Sequence, residues 1–290
     1  MKKKYFCFSV LQMAILGVVS SFVPYEKLEA FEAEIPVTFS PSGIPIVNME
    51  IEDQTYLVKF DLGLGLDCQI NKRNLQQITK QEDGFERWRG INGVIHKSNK
   101  FLIEKVFLEN VVFTDLRIVE IQPKSESVGV VGRRSFKEKT CGFFGREALL
   151  NYNIFLDFPN DKFIIYDNKD CFNKDNYFEV PFILDSQGIL FQVDTDFGFR
   201  TFALDTGATK NIIKKKFIKH LNWRRYVRGR IETDEFSIAG NNFGKTNLYA
   251  LNINCFKNFD GILGMDFLKD HRVHIDFQDK LLYFEKPQNV

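Results

Sequence analysis

Two acids stand out by what surrounds them. Asp61 ends the run Tyr56-Leu57-Val58-Lys59-Phe60 and is followed by Leu62-Gly63, and Asp205 ends Thr201-Phe202-Ala203-Leu204 and is followed by Thr206-Gly207. In each case an apolar strand delivers a carboxyl into a glycine turn, where the missing Cβ permits close approach of another loop. If two such carboxyls meet, like-charge repulsion keeps a proton on one while the other ionises. That is an acid and a base for activating water, with no covalent intermediate and no metal. Taken alone, Asp-Thr-Gly is a weak signal and reads equally as an Asx-turn leaving a strand.

What strengthens it is an internal repeat. The stretch Gly142-Phe143-Phe144-Gly145-Arg146-Glu147-Ala148-Leu149 matches Gly261-Ile262-Leu263-Gly264-Met265-Asp266-Phe267-Leu268. The match runs on through Asp157-Phe158 against Asp276-Phe277, and then Lys162–Tyr166 mirrors Lys280–Phe284. Each copy is expected to form a glycine-bounded strand, a short helical turn and a hairpin that closes its own lobe. The order Asp-x-Gly then Gly-x-x-Gly occurs twice, with 145 − 61 = 84 residues between them in the first copy and 264 − 205 = 59 in the second. Duplication predicts lobes over 35–167 and 177–286, joined by a polar linker over 168–176.

Asp205-Thr206-Gly207-Ala208, with Gly261-Ile262-Leu263-Gly264 downstream and a degenerate copy upstream, resembles the pepsin-like and retropepsin-like aspartic proteases. The resemblance spans both halves and is sharp only in the second. It implies a mainly β fold of two homologous six-stranded-type β-barrel lobes with short helices, and an endopeptidase acting on a peptide or protein substrate. Asp61 and Asp205 would be catalytic, and Gly63, Thr206 and Gly207 would support their loops. No cofactor and no metal are implied, and the chain would act as a monomer.

The resemblance also suggests a flap within 84–96, whose Asn92-Gly93 is a hairpin turn signal. Trp88, Gly90, Ile91, Asn92 and Gly93 would lie over substrate; the plainer reading is a surface hairpin with a half-buried Trp. The first-lobe motif departs from the family, because Leu62 cannot donate the hydroxyl hydrogen bond that ties the two catalytic loops together. Thr206 can supply only half of that link. Leu64 and Ala208 likewise offer no hydroxyl, and the loss of donors is expected to raise the carboxyl pKa values and move activity toward neutrality. The competing expectation is a catalytically inactive pepsin-like binding module. Pairing of second lobes between two chains is disfavoured, because the intrachain partner is at far higher effective concentration.

Composition excludes other classes. Of 290 residues, 39 are Lys or Arg and 38 Asp or Glu, so the chain lacks the basic excess of a nucleic-acid footprint. Its 31 Phe, set in short apolar runs broken by Gly, Asn and Asp, favour strands over long helices. Lys2, Lys3 and Lys4 precede an apolar stretch from Tyr5 to Val23, the layout of a signal peptide within 1–30. The expected destination is export, periplasmic or secreted, with the membrane involved only if the segment stays on as an anchor. Cys68, Cys141, Cys171 and Cys255 allow three disulfide pairings or none, and their spacing does not suit zinc. His271 and His274 read as structural, and Lys214-Lys215-Lys216 with Lys210 and Lys219 as a solvated face. There is no phosphate loop, serine elbow or His-Glu-x-x-His helix.

Overall fold

The computed structural model describes residues 31–90, 93–122, 140–167, 172–218, 226–227, 229–253 and 255–287. The segment 1–30, flap residues Ile91 and Asn92, linker residues 168–171 with Cys171, and Lys219 lie outside them. The fold is mainly β, one closed six-strand barrel and one curled half-barrel, consistent with two barrel lobes. Among the described residues no helix is long and apolar enough to cross a membrane.

The first half lays down β1 (Glu32–Pro36), β2 (Thr38–Phe39), β3 (Pro45–Ile51), β4 (Gln54–Asp61) and β5 (Cys68–Asn71). It continues with β6 (Gln81–Arg89), β7 (Ile95–Leu108), β8 (Val111–Ile121), β9 (Gly142–Gly145), β10 (Asn153–Asp157) and β11 (Lys162–Tyr166). The second half begins with β12 (Tyr177–Pro181), β13 (Ile183–Asp185), β14 (Gly188–Thr195), β15 (Gly198–Leu204), β16 (Ile212–Lys214), β17 (Tyr226–Val227) and β18 (Arg230–Glu232). It ends with β19 (Phe236–Ile238), β20 (Asn241–Asn242), β21 (Asn247–Leu251), β22 (Gly261–Leu263), β23 (Val273–Asp276) and β24 (Leu281–Glu285).

The halves share one topology. The sheet order β3-β4-β9-β5-β8-β7-β6 in the first matches β14-β15-β22-β16-β21-β18-β17 in the second. Parallel and antiparallel pairings agree at every step. Registers agree too: Val58 pairs with Gly142 and Phe202 with Gly261, each three residues ahead of its aspartate. Half-exposed strands alternate, as in β3, where Val47, Met49 and Ile51 are buried and Asn48 and Glu50 exposed. The central strands β5, β16 and β22 are buried on both faces, so they show no alternation of buried and exposed residues. In the first half β3 also pairs with β7 through Glu50 and Phe107 and closes the barrel. In the second half β14 pairs instead with β19, and the sheet stays open.

The Gly-x-x-Gly pairs are steric. A Cβ on Gly142 would overlap the Gln69 carbonyl, and one on Gly261 would lie 2.6 Å from the Ile212 carbonyl oxygen. A Cβ on Gly145 would overlap the Leu66 carbonyl, and one on Gly264 would come within 2.6 Å of the carbonyl oxygens of Ala208 and Lys210. These glycines let the backbone cross behind the Asp loops.

The hairpins expected to close each lobe do something else. β10–β11 and β23–β24 lie side by side in a sheet ordered β1-β11-β10-β23-β24-β12, with Ile154 opposite Ile275 and Leu156 opposite Val273. Pairing across the halves buries an apolar strand edge that would otherwise be open on both copies. Arg272 fastens the junction, its Nε 2.7 Å from Asp157 and a terminal nitrogen 3.0 Å from Glu285.

Candidate active site

Asp61 is the last residue of β4 and Asp205 follows β15, so the matched registers deliver both to corresponding places in the two halves. The carboxyls meet as hydrogen-bond partners. Each opposes the other half's glycine: a Cβ on Gly63 would lie 2.5 and 2.6 Å from the Asp205 oxygens, and one on Gly207 2.5 Å from both Asp61 oxygens. No other residue type fits there without moving a carboxyl.

Behind the acids the loops are tied by Thr206, which is fully buried. Its hydroxyl accepts from the Leu62 N–H at 2.9 Å and donates to the Phe60 carbonyl at 2.8 Å. Leu62, also fully buried, gives nothing in return, so one half of the reciprocal link is present.

The environment separates the two acids. Asp205 Oδ1 accepts the Gly207 N–H at 2.8 Å and the Ala208 N–H at 3.1 Å. Asp61 Oδ1 accepts the Leu64 N–H at 3.1 Å. Burial, then the charge of Asp205 and their mutual hydrogen bond, push Asp61 well above the usual carboxyl range, against the pull of the Leu64 and Gly63 amides. Burial raises Asp205 as well, but the Gly207 amide, the Asp61 hydrogen bond, the Ala208 amide and the charge of Arg146 restrain it. The pair therefore titrates as one unit, raised by burial and by the repulsion of its members, with two amides weighing on Asp205 and one on Asp61 through Oδ1.

Arg146 was not singled out by sequence reasoning. It follows Gly145, is 1% exposed, and runs beneath the first loop. One terminal nitrogen donates to the carbonyls of Leu62 (3.4 Å) and Gly63 (3.3 Å), the other to those of Asp185 (3.0 Å) and Ser186 (3.3 Å) in the second half. The available signal was a cation at a repeat position where the other copy has the apolar Met265.

The 84–96 segment forms the hairpin β6–β7, with Arg89 opposite Ile95 and Gly93 at φ +81° in the turn. Gly90 accepts the Gly93 N–H at 2.8 Å and donates to Val94 at 3.0 Å. The tip reaches the second half, since a Cβ on Gly93 would lie 3.0 Å from Cys255 Cβ. Trp88 stacks on His96 at 4.3 Å and donates to Ser98 at 3.2 Å, contacts made within the hairpin rather than at the aspartates. Neither a scan against protein-family models nor a search of curated proteins finds a match to this chain.

Proposed function

We propose that this chain is an aspartic endopeptidase that hydrolyses peptide bonds with a water held between Asp61 and Asp205. The observation that carries the reading is the reciprocal fit of Gly63 against Asp205 and Gly207 against Asp61, which seats two half-buried carboxyls in hydrogen-bond contact. Structural acids are paired with bases or amides; two acids facing each other are costly unless they share a proton.

The two amides on Asp205 Oδ1, against one on Asp61 Oδ1, support Asp205 as the base and Asp61 as the acid. Ionised Asp205 takes a proton from the water as its oxygen attacks the peptide carbonyl. Protonated Asp61 donates to the carbonyl oxygen, giving a neutral tetrahedral diol. Asp205 then passes its proton to the amide nitrogen, the C–N bond breaks, and a diol proton returns to Asp61. The β6–β7 hairpin, whose tip touches the second half, covers the extended peptide, with Gly90 and Gly93 in its turn. Export to the periplasm or exterior is part of the proposal and rests on the sequence of 1–30.

Asp61→Asn and Asp205→Asn, assayed on an unfolded protein substrate, are each expected to lower kcat by about 10²–10⁴-fold. Full activity in either variant refutes the dyad. The buried Leu62 favours a second reading, a peptide-binding module that lacks turnover. In that case the unaltered protein binds extended peptides, cuts none, and the Asn variants bind equally well.

A further inference from the structure

The first half carries an arginine where the second carries Met265. Buried at 1% exposure, the guanidinium makes one ion-pair contact among the described residues, Glu147 Oε1, 3.3 Å from Nε and out of line for a hydrogen bond. A buried cation costs more desolvation than a methionine of similar length, so an apolar residue would make the more stable scaffold. What the charge gains is its position. Its fork spans four carbonyls, two on the loop that carries Asp61 and two on the β13–β14 turn of the other half. It also lies within electrostatic reach of both Asp61 and Asp205. The β13–β14 turn is itself held: Gln187 accepts the backbone N–H groups of Lys257 and Asn258, and the Asn258 side chain donates to Asp185. The arginine therefore ties the Asp61 loop to a fixed part of the second half.

We propose that Arg146 is a positioning residue of the dyad, which supplies from the first half the inter-lobe fastening that Leu62 lacks and sets a fixed positive charge behind the carboxyl pair. Thr206 holds the Asp61 loop from one side and Arg146 from the other. The carboxyl-titration arm does not depend on turnover; only the kinetic arm rests on the hydrolytic reading.

Three variants separate fastening from charge: Arg146→Met, Arg146→Lys, and Arg146→Met combined with Leu62→Thr, whose hydroxyl would face the Thr206 N–H and the Leu204 carbonyl by mirror of the existing link. The readouts are carboxyl titration by 13C NMR of labelled aspartate and kcat and KM across pH. Arg146→Met is expected to raise the titration of the dyad by about one unit. It is expected to lower kcat by roughly 10²-fold with KM within about threefold. Arg146→Lys keeps the charge but cannot span both carbonyl pairs. Its titration is expected to stay in place while kcat falls about tenfold. Adding Leu62→Thr to Arg146→Met is expected to recover kcat and leave the titration raised. A folded Arg146→Met protein with an unmoved titration overturns the charge role. Should Arg146→Met not fold, unchanged kcat in Arg146→Lys overturns the fastening role and a tenfold fall supports it. If the unaltered protein cuts no peptide while the titration still moves in a folded arginine variant, the charge role stands and the hydrolytic reading falls.

Discussion

His274 is expected to make the protein fragile in acid. It lies in β23 with 1% of its surface exposed, and neither ring nitrogen finds a hydrogen bond among the described residues. Tyr166 and Tyr283 stack on it at 5.4 and 5.2 Å, Phe172 leans on it at 4.1 Å, and Phe155 is opposite it on β10. Lys174, whose ammonium sits 4.5 Å from the Tyr283 ring centroid, adds its positive charge. Burial, then Lys174, lower the imidazole pKa from 6.5 to about 3. Between those values the unfolded chain binds a proton that the folded chain refuses, so stability rises with pH across the window. It is whole above pH 6.5 and is lost progressively down to about pH 3. At pH 4.5, two units into the window, the loss is about 3 kcal/mol. His274→Phe removes both the proton uptake and two orphaned nitrogens while keeping the stack. Urea unfolding of the two proteins at pH 7.5 and 4.5 gives the measurement. The variant's advantage should be about 3 kcal/mol larger at the lower pH. A pH-independent difference would mean that the imidazole is protonated or hydrated in the folded protein, and would refute the reasoning.

The dyad gives the opposite slope. Because Asp61 is raised well above the ordinary carboxyl range, the singly protonated pair persists to higher pH, and kcat/KM is expected to hold above that range and fall on the basic side as the pair loses its shared proton. A profile peaking below about pH 3 would contradict this. By linkage, carboxyls raised on folding lose stability as pH rises through the window above their unfolded values. Asp61→Asn is therefore expected to unfold at a higher temperature than the unaltered protein at pH 7.5, with the gap closing toward about pH 4; calorimetry at both pH values checks it. Gly63→Ala and Gly207→Ala each drive a methyl into the opposite carboxyl. Each should cost about 1–3 kcal/mol and roughly 10²-fold in kcat, and a fully active variant would place the loops farther apart than described.

Much of this arrangement was legible in the sequence because duplication repeats patterns that have local causes. Apolar runs ending in Asp-x-Gly, each followed later by a Gly-x-x-Gly pair, announced two copies of one sheet, and seven strands of each half follow the same order. The half-made hydroxyl link followed from Leu62 facing Thr206. Partners were the harder part. Period-two burial tells which face of a strand is apolar but not which strand lies beside it, so β10–β11 and β23–β24 read as separate closures instead of one shared sheet. Lys214 read as part of a solvated face, yet it is 2% exposed and its ammonium donates to the carbonyls of Phe256 (2.6 Å) and Phe259. A lysine signals water in sequence; backbone carbonyls gathered by folding can stand in for that water. Lys210, by contrast, pairs with Asp266 at 2.9 Å near the surface.

Arg146 was missed for the same reason as Lys214, and the two halves explain why such residues matter. A symmetric site, with hydroxyls and apolar residues mirrored, would give both carboxyls equal surroundings, and neither would have a reason to keep the proton. Here the first half has Leu62, without a hydroxyl, and a cation at Arg146, while the second has Thr206 and Met265. Asp205 receives two backbone amides through Oδ1 and the restraining charge of Arg146. Asp61 feels burial and the negative charge of its partner most strongly. The two halves thus surround their carboxyls unequally, and a change that restores symmetry at 62 or 146 should alter the titration of the pair before it alters the fold.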